Sequence, residues 1–544
     1  MNRFIHSVGS LSTMTTMLSF LTSAPSFITP VLSSQVSSLK RAKVLEYPDT
    51  NFFASDTDSL SSKEWLLNLR GGKDSNGDDT ESVGVSNQNG ICDSNDHDSN
   101  DSTMTNNDAY SYRTVQVQVI HRHGDRTPIT PLKNEEFWAQ QLVPDDLLDR
   151  VSSGTRVLRN QDNNVDSGKN KLEVHAASGR GPFGKLTKLG LFGMIQVGTD
   201  LKEALEGSTL WSETCTASKT IDTRSTGAGL DEGKKIGGAN GRRIEFTPKD
   251  IKVYSTDFAR TIQSVQGLLV GFFPDGISTN QTIDIDCRDT VSWMIPDPQP
   301  RQTKEQEVLE RELAKRPYVL EREASMRPLA VRCTNSLLPL LGQDAFDVSF
   351  GVEDNEVDDV GKKEEHPTLP WIQLAEITKC LRVRDMLPDS ISADDQESLL
   401  AHTAWKWFQS LRSPRLSYLS MRRFTDTIVK TLQKREEEPP LVVYSCHDSS
   451  LIGLLCALHL EQPSVWPEYG AVLKVELLEK KKEGPGHVET THVGDDSGEP
   501  HYVLRFSLNG ELLRSMWHDI AREEISMDEF IQLISTAGDN TTLN

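Results

Sequence analysis

Three short apolar runs, each followed by a helical pattern, limit what this chain can fold into. Val115, Val117 and Val119 alternate with polar residues, Ile251-Lys252-Val253-Tyr254-Ser255 repeats the alternation, and Leu441-Val442-Val443-Tyr444 runs unbroken behind Pro439-Pro440. Alternation with period two and short β-branched runs are strand signals. After the second run, Ile262, Val265, Leu269 and Phe272 fall on one helical face that ends near Pro274. After the third, an apolar helix is predicted from Leu451 to Leu460. Thr187 is a good N-cap for a helix carrying Leu191, Met194, Ile195, Leu201 and Leu205. Strand followed by helix, repeated, predicts an α/β fold with a parallel-sheet core flanked by helices. Residues 302–325, 371–385, 396–412 and 415–435 read as charged helices, so a mostly helical cap is expected as an insertion over about 286–435.

What ends each strand decides the chemistry. The first runs into Val119–Pro131, Val-Ile-His-Arg-His-Gly-Asp-Arg-Thr-Pro-Ile-Thr-Pro. The second ends in Ser255-Thr256-Asp257-Phe258-Ala259-Arg260 and the third in Cys446-His447-Asp448. In parallel sheets, ligands bind beyond the carboxyl ends of the strands, where helix N-termini point their free amides. Arg122, His123, Arg126, Arg260, His447 and Asp448 are therefore expected to converge in one pocket. Arginine offers a planar fork matched to phosphate oxygens, and a neutral histidine can attack phosphorus. Three guanidiniums supply the positive charge that a metal would otherwise bring, so the set is read as needing neither metal nor other cofactor.

The stretch Arg122-His123-Gly124-x-Arg126-x-Pro128 resembles the signature of the histidine acid phosphatases, branch 2 of the histidine phosphatase superfamily. Ser255 to Arg260 with the following Gln-Ser-Val-Gln-Gly is similar to that family's second arginine segment, and His447-Asp448 to its His-Asp motif. Gly184-Lys185-Leu186-Thr187 is similar to its Gly-x-Leu-Thr helix start, and Trp466-Pro467-Glu468-Tyr469 to the segment after the His-Asp helix. These pieces cover most of residues 113–535 between unmatched insertions, and they look closest to the lysophosphatidic acid phosphatase branch. The resemblance implies that His123 becomes a phosphohistidine, that Arg122, Arg126, Arg260 and His447 hold the phosphoryl oxygens, and that Asp448 protonates the leaving alcohol and then activates water. A carboxyl beside a phosphate has its pKa raised by like charge, which suits an acid working at mildly acidic pH. The implied activity is hydrolysis of a small-molecule or lipid phosphomonoester such as lysophosphatidate. Inositol phosphates and sugar phosphates stay open, a phytase being expected to need more basic residues around its pocket.

Three other readings use the same residues. His121-x-His123-x-Asp125 partly matches the start of some zinc hydrolase motifs, but the closing histidine is replaced by Arg126, a poor neighbour for a dication. A phosphomutase would pass the phosphohistidine group to a second hydroxyl. A catalytically silent binder would keep the pocket alone. Asp125 is read as a loop-stabilising residue, and Asp448 on its own as a cap for the next helix.

A net charge of −22 with no polybasic run excludes a nucleic-acid or anionic-membrane surface binder. No run of 18 apolar residues suggests a transmembrane helix. Residues 1–45 lack Asp and Glu, are rich in Ser and Thr and fit a targeting segment, either secretory or organellar. Residues 46–112 read as an acidic low-complexity linker. Within it Asp74-x-Asn76-x-Asp78 lacks the glutamate that a calcium loop needs at its twelfth position. Residues 113–540 are expected to form one catalytic unit. The seven cysteines show no Cys-x-x-Cys spacing, leave one or two disulfides open, and make Cys446 a small buried thiol. Asn100, Asn280 and Asn540 begin sequons. Oligomeric state is not encoded legibly.

Overall fold

The computed structural model describes residues 110–159, 180–207, 245–277, 280–288, 304–342, 368–461, 466–482 and 500–537. All lie within the compact unit Lys73–Asn544. The expected targeting segment, most of the expected linker, Cys92, Cys215, Asn100 and Asn540 fall outside the described residues.

One sheet organises the unit. Its strands are β1 (Tyr110–Arg122), β2 (Thr155–Arg159), β3 (Ile251–Thr256), β4 (Ile283–Arg288), β5 (Leu441–Cys446), β6 (Val472–Lys482), β7 (His501–Leu508), β8 (Glu511–Leu513) and β9 (Ile525–Ser526). They lie in the order β2-β4-β3-β5-β1-β6-β7-β8, with β9 on β7. From β2 to β1 every pairing is parallel, as the strand–helix pattern predicts. Beyond β1 the sheet turns antiparallel through β6, β7 and β8, an extension that pattern does not predict. β1 also starts at Tyr110, three residues inside the expected linker, because Tyr110 to Tyr112 pair with Lys480 to Lys482 of β6.

The helices are α1 (Glu135–Gln140), α2 (Asp145–Ser152), α3 (Lys188–Glu206), α4 (Ala259–Phe272), α5 (Lys304–Ala314), α6 (Pro317–Leu337), α7 (Trp371–Arg382), α8 (Ala393–Leu411), α9 (Pro414–Gln433), α10 (Asp448–Ala457) and α11 (Met527–Thr536). Because strand side chains alternate, each central strand feeds two cores. Val119, Val253, Leu441 and Val443 pack with Met194 and Leu201 of α3 and with Val265, Leu269 and Phe272 of α4. Ile120, Val442 and Tyr444 face the other way, onto Phe424 and Ile428 of α9 and Leu451 and Leu455 of α10. Each such fully buried aliphatic side chain contributes roughly 1.5–3 kcal/mol of transfer free energy.

A third cluster joins Leu132 and Trp138, just after the first motif, to Leu329 and Leu337 of α6 and Leu374, Ile377 and Leu381 of α7. The insertion expected as a cap over 286–435 is thus divided. α6 and α7 sit over the motif loop, whereas α9 lies on the sheet, its Met421, Phe424, Ile428 and Leu432 needing an apolar face to cover. The described cysteines Cys287, Cys333, Cys380, Cys446 and Cys456 are all buried thiols. No described helix is long and apolar enough to cross a membrane.

Candidate active site

Register brings the motifs together. Arg122 of β1 pairs with Cys446 of β5, and Ser255 of β3 with Ser445, so all three carboxyl ends leave the sheet side by side. His123 follows β1 directly, Arg260 opens α4, and His447 and Asp448 open α10. The structure brings all six sequence-derived residues together: Arg122, His123, Arg126, Arg260 and His447 are each 6% exposed or less, and the Asp448 side chain is 19% exposed.

Gly124 is there for proximity, not for turning. A Cβ on it would lie 2.4 Å from the carbonyl oxygen of Gly190 in α3, and one on Gly190 would lie 2.1 Å from that of Asp125. Two glycines therefore let the motif loop lie flat on the first turn of α3. That turn is capped as expected, Thr187 Oγ1 accepting from Gly190 N at 3.1 Å. Thr187 Oγ1 also donates to Asp125 Oδ2 at 2.5 Å, and Arg384 Nη2 donates to the same oxygen at 2.7 Å. Asp125 thus ties the loop to α3 and to the residues following α7.

The His123 ring has its Nδ1 2.8 Å from the Gly124 carbonyl oxygen. A carbonyl can only accept, so Nδ1 carries the proton and Nε2 keeps its lone pair. Burial, then the charges of Arg260 and Arg122, hold His123 well below the usual histidine range. The His447 ring is 5.5 Å from His123, centroid to centroid. Its side chain accepts from the backbone of Ser450, and its Nε2 lies 3.0 Å from Thr256 Oγ1. Burial and Arg260 keep it neutral, so it can offer Nε2–H as an uncharged donor.

The arginines are fixed by different partners. Arg122 Nη1 donates to the Pro467 carbonyl at 2.6 Å and Nη2 meets Asp448 Oδ2 at 2.7 Å, with the Tyr469 ring 4.1 Å from its Cζ. Arg126 Nη1 meets Glu376 Oε1 at 2.7 Å. Arg260 Nη1 donates to the Gly184 carbonyl at 3.4 Å and its Cζ lies 4.4 Å over Phe258. Burial and the repulsion of Arg126 draw its pKa down to about 9. The Nε of all three is buried with no hydrogen-bond partner. Buried donors left unmatched are costly, and an oxyanion is what would match them.

Asp448 is held ionised by its neighbours. Burial pushes its pKa up, but Arg122 and Arg126 outweigh burial and hold it at about 2. Trp466 Nε1 also donates to Asp448 Oδ2, at 3.0 Å. The expected upward shift needs the phosphate's own charge, which must first neutralise these guanidiniums.

Residues 115–229 match the family described as "Histidine phosphatase superfamily (branch 2)". Over that stretch the chain is similar to the branch 2 histidine phosphatases. The match supports a phosphomonoester hydrolase. The chain matches no curated protein. Among solved structures it is similar to the Hafnia alvei phytase, at 12% identity and TM-score 0.45, over 78% of this chain and 97% of the other. It is also similar to the Citrobacter braakii phytase, at 13% identity and TM-score 0.43, over 78% and 98%. A third, the Bifidobacterium longum multiple inositol polyphosphate phosphatase, has 10% identity and TM-score 0.43, over 79% and 94%. None of these comparisons bears on the lysophosphatidic acid phosphatase branch.

Sequence reasoning missed the contribution of α7. Glu376, Lys379 and Cys380, with Arg384 just beyond, recur at helical spacing and reach the motif loop or the Trp466–Tyr469 segment. Only their three- and four-residue spacing signals one face, and the same pattern marks a solvated helix. His121, which the zinc reading needs, has Nδ1 3.1 Å from the Arg122 carbonyl, and burial lowers its pKa to about 4. Among the described residues no three His, Cys, Asp or Glu side chains are grouped to hold a metal.

Proposed function

We propose that the chain hydrolyses phosphomonoesters through a covalent phosphohistidine on His123. The observation that carries the reading is the tautomer of His123: its proton is engaged by Gly124, leaving an Nε2 lone pair among three guanidiniums with unmatched Nε donors. Nε2 attacks phosphorus, the bond from phosphorus to the ester oxygen breaks, and that oxygen takes a proton from Asp448. Water then gives a proton back to Asp448 and attacks the phosphohistidine, breaking the P–N bond and returning neutral His123. Arg122, Arg126, Arg260 and the neutral Nε2–H of His447 hold the phosphoryl oxygens through both steps.

A substrate with a single phosphate is supported by the charge balance. Of the further cations that flank the site, Arg384 is held inside the protein, its Nη2 2.7 Å from Asp125 Oδ2, and Lys379 Nζ lies 2.7 Å from Oε2 of Glu468, whose side chain is 68% exposed. Arg122 and Arg126 are themselves paired with Asp448 and Glu376, so the net positive charge at the site is small, and it lies beside the rings of Phe258, Tyr469 and Trp466. Lysophosphatidate is the first substrate to test. The experiment is a kcat/KM panel of lysophosphatidate, a sugar phosphate and a multiply phosphorylated inositol, with chelator present and alcohol added as a competing acceptor. A common intermediate gives one ratio of alcohol to water transfer for every ester. A tenfold preference for the polyphosphate would reject the single-phosphate reading, and transfer confined to a second substrate hydroxyl would make the protein a mutase.

A further inference from the structure

We infer that Glu376, on α7, is the positioning residue of Arg126, and that through it the helix over the motif loop sets the geometry of the phosphate site. The inference rests on the phosphate-binding reading of Arg126. The Glu376 side chain is 10% exposed and that of Arg126 6%, so neither partner is exchanged freely for water. Arg126 Nη1 has two acceptors, Glu376 Oε1 at 2.7 Å and the Thr127 carbonyl at 3.1 Å. The backbone N–H of Ile129, three residues along the same loop, donates to the same Glu376 oxygen.

A guanidinium is planar, so pinning Nη1 from two directions removes its rotation about the side-chain axis. The edge bearing the buried, unmatched Nε is then the one left for an oxyanion. One carboxylate oxygen thereby fixes both the orientation of Arg126 and the course of the loop that carries it. Neighbours on α7 support this docking. Cys380 Sγ lies 3.5 Å from the Arg126 carbonyl, and Arg384, one turn further on, meets Asp125. A carboxylate that served only to seat the helix would change stability without changing anion affinity.

The test is a mutant cycle read by orthovanadate and inorganic phosphate inhibition, with thermal stability measured alongside. Glu376→Ala should weaken vanadate binding about 10- to 100-fold, as a misaimed binding group does. In an Arg126→Ala background the same substitution should add less than about twofold, because the residue it positions is gone. Glu376→Gln should restore most of the affinity, since an amide oxygen still accepts from Arg126 and Ile129. If the alanine variant does not fold, Glu376→Met keeps the volume without the acceptor and enters the same cycle. Wild-type vanadate affinity in Glu376→Ala or Glu376→Met, or an undiminished loss beside Arg126→Ala, would overturn the inference alone. Wild-type affinity in Arg126→Ala would instead overturn the phosphate-site reading beneath it.

Discussion

Replacing Asp448 with Asn separates proton donation from phosphate binding, and the structure sets the size of the effect. With its pKa at about 2, the carboxyl is almost wholly ionised at pH 5 before a phosphate binds. A phosphoryl group held by the three guanidiniums roughly 5 Å away repels the carboxylate by about 3 kcal/mol per charge at an effective dielectric near 20. A bound dianion therefore carries the Asp448 pKa upward, toward the working pH of a mildly acidic reaction. It is then a competent acid for an alkoxide leaving group in the bound complex only. Asp448→Asn should therefore cut kcat for an alkyl phosphate about 10²- to 10⁴-fold, and for p-nitrophenyl phosphate less than about tenfold, because nitrophenolate needs no proton. Inorganic phosphate should bind the variant at least as tightly, since Arg122 loses its ion pair with Asp448 and is freed for the ligand. The assay is steady-state kinetics on both esters from pH 4 to 8. The wild-type kcat for the alkyl ester should fall with rising pH as Asp448 of the bound complex loses its proton, and the variant should lose that limb. Equal losses on the two esters would remove Asp448 from the acid role.

Trp466→Phe deletes the Nε1–H that meets Asp448 Oδ2 at 3.0 Å; kcat for alkyl esters should drop about three- to tenfold with aryl esters nearly unchanged, and a uniform drop would contradict it. Gly190→Ala puts a methyl 2.1 Å from the Asp125 carbonyl oxygen, which should destabilise the fold by about 1–3 kcal/mol in thermal melts and lower kcat/KM by more than stability alone explains. An unshifted melting temperature would show that the loop does not lie as described. Stability should also fall with acid. Burial holds His121 at about 4 instead of 6.5, so the unfolded chain takes up a proton between those values that the folded chain refuses. The resulting loss is complete by about pH 4, absent above about pH 6.5, and worth about 3 kcal/mol, with His123 and His447 acting in the same direction. Denaturant melts at pH 7, 5.5 and 4 check this, and greater stability at pH 4 would contradict it.

The parallel half of the sheet was legible because its strands are buried on both faces and end in motif residues, so apolar pattern and chemistry coincide at Val119, Val253 and Val443. Thr187 was legible as a cap for the same reason, a hydroxyl just before an apolar period. The antiparallel edge was not, since β7 follows a long polar stretch and its pairing with β6 depends on register rather than local pattern. Nor was α7 legible as part of the site. Glu376 and Arg384 look like ordinary charges on a helix, and their partners Arg126 and Asp125 lie 250 and 259 residues away. The charge state of Asp448 without a phosphate was not legible either, because the sequence names the groups but not the 2.7 Å between its carboxylate and Arg122.

The central claim is that phosphorus is transferred to His123. Rapid-quench trapping with a ³²P-labelled phosphomonoester, at mildly acidic pH and with chelator present, tests it most directly. The account predicts an acid-labile, base-stable label on the protein within one turnover, mapped to His123 and absent from His123→Ala. Phosphate release without such a label, or a label that survives in His123→Ala, would contradict it.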